Sequence, residues 1–355
     1  MRILTLTSST TFSGGVRQAV YQTAGLRALG HDARLCLPAD SALWGLPDPE
    51  VWWVRLPEKQ AGWRDALDTL IGGGPAVVHA FHNRAVKLTA LWGLAWRRRG
   101  VACAAHRGII TRPANPLPYW SPAMRRFVVN SRACARSLRW HCPSFKIRVL
   151  ANGVPDERVT PRRDAAQVRS EWNLDGAGLV LGNIGNDNPV KGTEVLIRAF
   201  AAARGAAREA VLLLIGVTPG RWLPLARQLH VEDRVRVAGH YDHVSDLLQV
   251  CDAFVFPSQG MDSAPNALLE AVRMGLPVVS TDVGGCPDIV DGNGLLVRAG
   301  REDELTRALE AVCADAGRRA AWSVRSRELS SRYTVEARCR ALESLQIAVV
   351  ASRFP

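Results

Sequence analysis

The sequence predicts an α/β protein of two doubly wound domains, and three observations carry that expectation. Short apolar runs that read as strands alternate with amphipathic helical stretches along the chain, a pattern that favours parallel sheets with helices on both faces. The 355 residues suffice for about two domains, each with its own core. Glycines recur in the turns leading from a strand into a helix, where parallel sheets gather their binding loops. A binding cleft is therefore expected between the domains, at the carboxyl ends of the strands.

The elements follow in order. Residues 1–38 read as strand, glycine turn at Gly14 and Gly15, amphipathic helix, Gly30-His31, and a second strand. Two adjacent glycines specify either a tight loop or a close approach of backbone to a ligand. The runs VVHAFH and ACAAHRGI place His79, His82 and His106 at or just beyond strand ends. Residues 147–154 supply a strand and an Asn-Gly turn that close the first domain, and 157–169 form the best linker candidate. The expected division is 1–160, 161–334, and a C-terminal helix over 335–355.

In the second domain, residues 179–200 give a buried strand, a polar loop bearing Asn186, Lys191 and Gly192, and a helix from about Thr193. A strand, a turn at Gly239, a helix and an apolar strand then lead to Pro257 and Ser258.

Residues 257–279, PSQGMDSAPNALLEAVRMGLPVV, are the most informative stretch. After the strand, Gly260, Asp262 and Ser263 form an exposed turn, and Pro265 suits the first turn of a helix expected to reach Met274 before Gly275. Ala267, Leu268, Ala271 and Val272 form its buried stripe, with Asn266, Glu270 and Arg273 on the opposite side. A helix N-terminus after a parallel strand presents backbone N–H groups and partial positive charge, which suits a diphosphate. Glu270 and Asp262 are placed to accept bonds from sugar hydroxyls. Equally, Asp262 caps a turn and Glu270 complements the helix dipole.

This segment resembles the donor-site motif of retaining glycosyltransferases of the GT-B fold, the large group-4 family. Its pattern is E-x7-E inside E-G-x-x-N-x-L-L-E-A-M-A-x-G-x-P-V-V. Glu270 matches the second acid, and Asp262 stands where the first is normally Glu. Lys191 and Gly192 match the family's K-G, whereas the Arg usually found about five residues earlier is Asn186 here. The resemblance covers nearly the whole chain. It implies two Rossmann-like domains with parallel sheets facing an interdomain cleft, and a C-terminal helix packing back toward the N-terminal domain.

The activity implied is transfer of a sugar, with retention, from a UDP-, GDP- or ADP-sugar to a glycolipid, lipopolysaccharide or oligosaccharide hydroxyl. Asp262, Glu270, Lys191 and His106 are the catalytic candidates. Asp262 orients the donor sugar, Glu270 holds the ribose, Lys191 neutralises the diphosphate, and His106 contacts the reacting sugar or the acceptor. Gly14, Gly15, Asn186, Gly239, Ser263, Ala264, Pro265, Asn266 and Ala267 are the expected donor-binding positions. No cofactor is implied, since the nucleotide sugar is a substrate. No metal is implied either, and the sequence has no D-x-D. Rival readings are a noncatalytic nucleotide-sugar-binding scaffold, suggested by Asn186 and Asp262, and an epimerase on the same fold.

Charge distribution adds the partners. Residues 1–155 carry 21 Lys+Arg against 7 Asp+Glu, and no acid lies between Asp68 and Asp156. The whole net charge of +12 resides there, so a polyanionic partner is expected. An anionic membrane surface or a phosphorylated glycolipid fits, while no motif supports nucleic acid. Leu88–Gly100 joins Trp92 and Trp96 to three arginines, reading either as an interfacial helix or as a core-facing helix with a solvated basic end. Trp44, Trp52, Trp53 and Trp63 either line an acceptor cleft or fill the core. Eight scattered cysteines without a C-x-x-C pair read as reduced thiols. With no signal-peptide pattern and no membrane-length apolar run, the expected location is cytoplasmic and peripheral at the inner membrane face.

Overall fold

In the computed structural model, which describes residues 1–11, 13–46, 50–260 and 262–351, the chain divides into two compact units. Unit 1 comprises Met1–Gly153 with Val335–Pro355, and unit 2 comprises Val154–Thr334. The division falls at Gly153, ahead of the segment read as a linker. Residues 157–169 are integral to unit 2, contributing to the turn Asp156–Arg158 and the helix Ala165–Glu171.

Unit 1 holds a seven-stranded parallel sheet ordered β3-β2-β1-β4-β5-β6-β7. Its strands are β1 Arg2–Thr7, β2 Asp32–Leu37, β3 Trp53–Arg55, β4 Ala76–Phe81, β5 Ala102–Arg107, β6 Met124–Val129 and β7 Ile147–Val149. Alternate residues feed cores on opposite faces: Leu4, Val78 and Phe127 pack with Trp96 on one, Ile3, Val77 and Val128 with Leu26 and Leu342 on the other. Burial on both faces explains why these strands are apolar runs rather than alternating ones.

The helix Val335–Ala351 packs against the helix Gly14–Ala28 within this unit. Gly25 makes the approach feasible, because a Cβ there would lie 2.6 Å from Cys339 Sγ and 2.8 Å from Val335 Cγ1. Buried Arg338 donates to the Leu150 carbonyl at 2.8 Å and also bonds that of Ala151, tying this helix to the chain leaving β7.

Unit 2 holds a six-stranded parallel sheet ordered β10-β9-β8-β11-β12-β13. The strands are β8 Leu179–Ile184, β9 Ala210–Ile215, β10 Val235–Val237, β11 Ala253–Phe256, β12 Val278–Thr281 and β13 Gly294–Val297. Leu196, Phe200, Leu212, Leu214 and Leu309 form the centre of one large core. In each sheet the strand order reverses once, at β1/β4 and at β8/β11. The loops leaving such a pair diverge to opposite faces and open a crevice at the carboxyl ends.

Several tryptophans belong to the cores. Trp96 is buried and donates from Nε1 to Asp68 Oδ1 at 2.9 Å, and Trp92 packs beside it at 6.0 Å between ring centroids. The large apolar residues that this helix, Asn83–Trp96, exposes are instead Leu91 and Leu94. Trp52 and Trp63 are likewise buried. All eight cysteines are buried and unbridged, and among the described residues no helix is long and apolar enough to cross a membrane.

Candidate active site

In unit 2 the site grows from the β8/β11 reversal. The loop after β8 ends in a single turn, Pro189–Lys191, initiated by Asn188, whose side chain accepts from the Val190 N–H at 3.0 Å. Gly192 follows with φ 74°, and a Cβ there would lie 1.9 Å from the Pro257 carbonyl oxygen. Only glycine satisfies both the left-handed backbone and the crossing of the two loops. That crossing brings Lys191 Nζ to 2.8 Å from Asp262 Oδ1. The other carboxylate oxygen accepts from Ser258 Oγ at 2.6 Å, and the Asp262 carbonyl accepts from the Gly285 N–H at 2.9 Å. Both ends of Asp262 are thus fixed by unit 2 alone.

The helix after this turn spans Asn266–Arg273, with Pro265 at its N-cap and no side-chain cap bond. Ser263, Ala264, Asn266 and Ala267 are half-buried at its entrance, so Ala267 is less enclosed than its place on the apolar stripe implies, while Pro265 is buried. The side opposite the apolar stripe, where Glu270 is expected, is not exposed at that residue. Glu270 is buried, and its Oε1 accepts from Arg158 Nε at 3.0 Å. Arg273 beside it reaches Asp156 Oδ1 at 2.7 Å and the Val154 carbonyl. The side of the helix opposite the core is covered by residues 154–158, which explains why it carries charge without facing water.

Asn186 is exposed, its Oδ1 accepting from the Asn188 N–H at 3.1 Å, so it shapes its own loop. Gly239 has φ 64°, and its carbonyl accepts from the Gly216 N–H at 2.6 Å, fixing the exit of β10 against that of β9.

In unit 1 a cavity of about 410 Å³ opens near the β1/β4 reversal, lined among others by Gly15, Phe81, His82, His106, Arg107 and Tyr119. Gly14 and Gly15 do not form a turn before the helix but are its first two residues, capped by Ser13, which accepts from the Val16 N–H. Gly15 serves a close approach: a Cβ there would lie 2.7 Å from His82 Nε2. His82 itself has φ 70° and ψ 151° and is bonded through Nδ1 to Thr7 Oγ1 at 2.8 Å. That conformation costs a non-glycine residue about 1–3 kcal/mol and is typical of positions where function fixes the backbone.

Of the histidines expected at or beyond strand ends, His79 lies inside its strand and His106 is the last but one residue of β5. His79 is fully buried within β4, and burial pushes its imidazole down to about 3. His106 is buried within β5 and stacks on Phe81 at 4.6 Å. Burial, then the positive field of Arg338, holds its imidazole well below the usual range. Arg338 Nη2 lies 3.3 Å from His106 Nδ1. Because a guanidinium only donates, Nδ1 is the acceptor and the proton of neutral His106 sits on Nε2. His106 is therefore a neutral hydrogen-bond donor in the cavity wall.

Three residues of these sites escaped the sequence reading. Arg158 fell in the segment taken as a linker. His82 carried no role, although a histidine directly after a strand that neighbours a glycine-opened helix was the available signal. Arg107, buried beside His106, was counted only as part of the basic surface. Among the described residues, no group of three His, Cys, Asp or Glu side chains is gathered for a metal ion.

Two α/β units, each with polar residues gathered at its sheet reversal, define the architecture of GT-B glycosyltransferases. Residues 12–158 match the family described as Glycosyltransferase Family 4, and residues 178–315 match Glycosyl transferases group 1, which supports a GT-B glycosyltransferase. The chain is 35% identical over 150 residues to N-acetyl-alpha-D-glucosaminyl L-malate synthase of Bacillus anthracis, a match covering 42% of this chain and 39% of that protein. It is 34% identical over 206 residues to D-inositol 3-phosphate glycosyltransferase of Stackebrandtia nassauensis, covering 53% of this chain and 46% of that one. The chain thus spans less than half the length of these two relatives. Anabaena HepE in complex with UDP superposes with a TM-score of 0.82 at 19% identity, covering 98% of this chain and 100% of that one, which shows the fold.

Proposed function

We propose that the protein transfers a sugar, with retention, from a nucleotide-sugar donor bound by unit 2 to a hydroxyl of a glycolipid or oligosaccharide acceptor bound by unit 1. The observation that carries this reading is the Lys191–Asp262 pair, set by a glycine-only loop crossing at the sheet reversal beside the start of the helix Asn266–Arg273. Lys191 releases Asp262 to the donor's phosphates, and Asp262 then accepts from a sugar hydroxyl. Glu270, held by Arg158, accepts from the ribose hydroxyls. The bond from the anomeric carbon to the diphosphate breaks and one to the acceptor oxygen forms on the same face. The acceptor proton passes to the departing phosphate.

Lys191 and the helix N-terminus stabilise the growing charge, with no divalent cation or cofactor. HepE has been captured with UDP, which favours a uridine nucleotide donor. The reaction takes place in the cytoplasm, at the inner membrane face. Supporting that location, unit 1 exposes Leu117, Trp120, Trp140 and Phe145 among its many arginines, the apolar-plus-basic surface that anionic bilayers attract.

The test is thermal stabilisation and nucleoside diphosphate release with UDP-glucose, UDP-GlcNAc, UDP-galactose, GDP-mannose and ADP-heptose, with and without EDTA. One donor class should stabilise the protein and turn over in EDTA. Lys191→Met should lower turnover about 10²–10³-fold, the loss expected for one charge-stabilising donor. Absence of binding by every donor, or equal turnover in Lys191→Met, would sink the reading, and inverted product stereochemistry would remove the retaining mechanism.

A further inference from the structure

The cavity of about 410 Å³ in unit 1 continues into a second of about 210 Å³, and Asn83, Arg107, Ile109 and Tyr119 line both. Arg107 is buried and lines both. Its guanidinium donates to Tyr119 Oη at 2.7 Å, to Asn83 Oδ1 at 3.3 Å and to the Thr111 carbonyl, all of them neutral acceptors. Its Nε is buried with no hydrogen-bond partner among the described residues. Lys87 and Arg112 line the smaller cavity, and neither cavity has an Asp or Glu among its described lining residues.

An arginine keeps its proton even when buried, so Arg107 places a fixed positive charge in the cavity wall. Elsewhere in unit 1 carboxylates meet partly exposed arginines, Arg2 and Arg34 sharing Asp32 and Arg64 and Arg99 sharing Asp68, whereas buried Arg338 bonds two backbone carbonyls and His106. A larger cavity of about 810 Å³ in the same unit sets Asp40 and Glu58 beside Arg55 and Arg84. Among the described residues, the Arg107 cavities combine a buried cation, two further cations and no counter-charge. A planar fork facing a cavity suits phosphate or carboxylate oxygens, and neutral His106 and strained His82 in the same wall can donate to a ligand without adding charge.

We propose that Arg107, with Lys87 and Arg112, binds an anionic group of the acceptor, a phosphate ester being the chemistry that fits three cations lining one cavity. This inference rests on the acceptor reading of unit 1 given above and names the acceptor's class. Arg107 thereby selects acceptors by charge, independently of the sugar that unit 2 supplies.

The experiment is calorimetric titration of the full chain saturated with UDP, so that the site in unit 2 is filled, with inorganic phosphate, glucose 6-phosphate and glucose in turn. Phosphate and glucose 6-phosphate should bind, and glucose at least tenfold more weakly. Arg107→Met should weaken both phosphates at least tenfold and leave the affinity for UDP unchanged. Should that variant not fold, Lys87→Met/Arg112→Met, changing two exposed side chains, should weaken them in the same way. Vesicles of phosphatidylcholine with phosphatidic acid form a further arm. Vesicle binding that Arg107→Met abolishes assigns the phosphate to a lipid headgroup, and binding of glucose 6-phosphate alone assigns it to a soluble ester; either supports the proposal. Unchanged phosphate affinity in the folded variants, or glucose binding as tightly as glucose 6-phosphate, would overturn it. Loss of UDP binding with phosphate binding intact would instead count against the donor reading of unit 2.

Discussion

Unit 2 neutralises its charged site internally, whereas unit 1 leaves its cavity cationic. In unit 2 each acid has a cation, Lys191 on Asp262 and Arg158 on Glu270, at 2.8 and 3.0 Å. In unit 1 the buried Arg107 and Arg338 meet only neutral groups among the described residues. Similar sheets with similar reversals therefore carry opposite electrostatic designs. A paired site holds its geometry before a ligand arrives, and exchanges partners when one does. An unpaired cationic cavity depends on its ligand for the missing charge.

The sharpest way to break this contrast is to remove one arginine from each unit. Arg158→Met leaves the Glu270 carboxylate buried without its cation and should destabilise unit 2 by about 3 kcal/mol, the usual cost of halving a buried pair. Glu270→Gln in the same protein should recover most of that loss. Arg107→Met orphans no carboxylate and should cost only about 1 kcal/mol, for the neutral acceptors it deserts. Urea denaturation followed by hydrogen exchange assigns each loss to its unit. Equal losses in the two variants would erase the distinction.

A smaller effect tests how far the C-terminal helix is part of unit 1. Gly25→Ala places a methyl group against Cys339 and Val335, and overpacking of this kind costs about 1–3 kcal/mol. Hydrogen exchange should quicken over 335–351 and 14–28 together while unit 2 keeps its protection. Unchanged protection of the terminal helix would show that its packing tolerates the methyl group.

What the sequence disclosed follows the range of the forces involved. Apolar runs, glycine turns and the spacing of Asp262 to Glu270 are local, and each can be read from a dozen residues. The pairing of Lys191 with Asp262 was legible only as two separate halves of a motif. Arg158 lies 112 positions from Glu270, and nothing in its neighbourhood distinguishes it from an exposed linker arginine. Trp92 and Trp96 left two readings open for a related reason. At four residues apart they share one helix face, but composition cannot say whether that face looks inward, and burial of Trp96 favours the core-facing reading. Likewise the sequence showed that residues 69–155 lack acids but not that one arginine there is walled in. Burial is decided by the fold, and a buried charge is where the fold and the chemistry meet.

Protonation gives the finest test, because the units differ in where their histidines lie. His230 and His240 of unit 2 are exposed, whereas His79 and His106 of unit 1 are buried and held below the ordinary imidazole range. Well above about pH 6.5 His79 and His106 are neutral in both folded and unfolded chains, and stability is indifferent to them. As pH falls below that value the unfolded chain takes up protons that the folded unit refuses, so ν for the unfolded state exceeds that for the folded state and stability drops with falling pH. For His79, pushed down to about 3, the loss should be about 1.4 kcal/mol per pH unit over the window between the unfolded and folded values. Stability measured from pH 7.5 to 5 should therefore decline in unit 1 ahead of unit 2, and His79→Gln should flatten the decline. A profile unchanged by that substitution would mean that His79 takes up its proton equally in the folded and unfolded chains, so that burial does not hold its imidazole down.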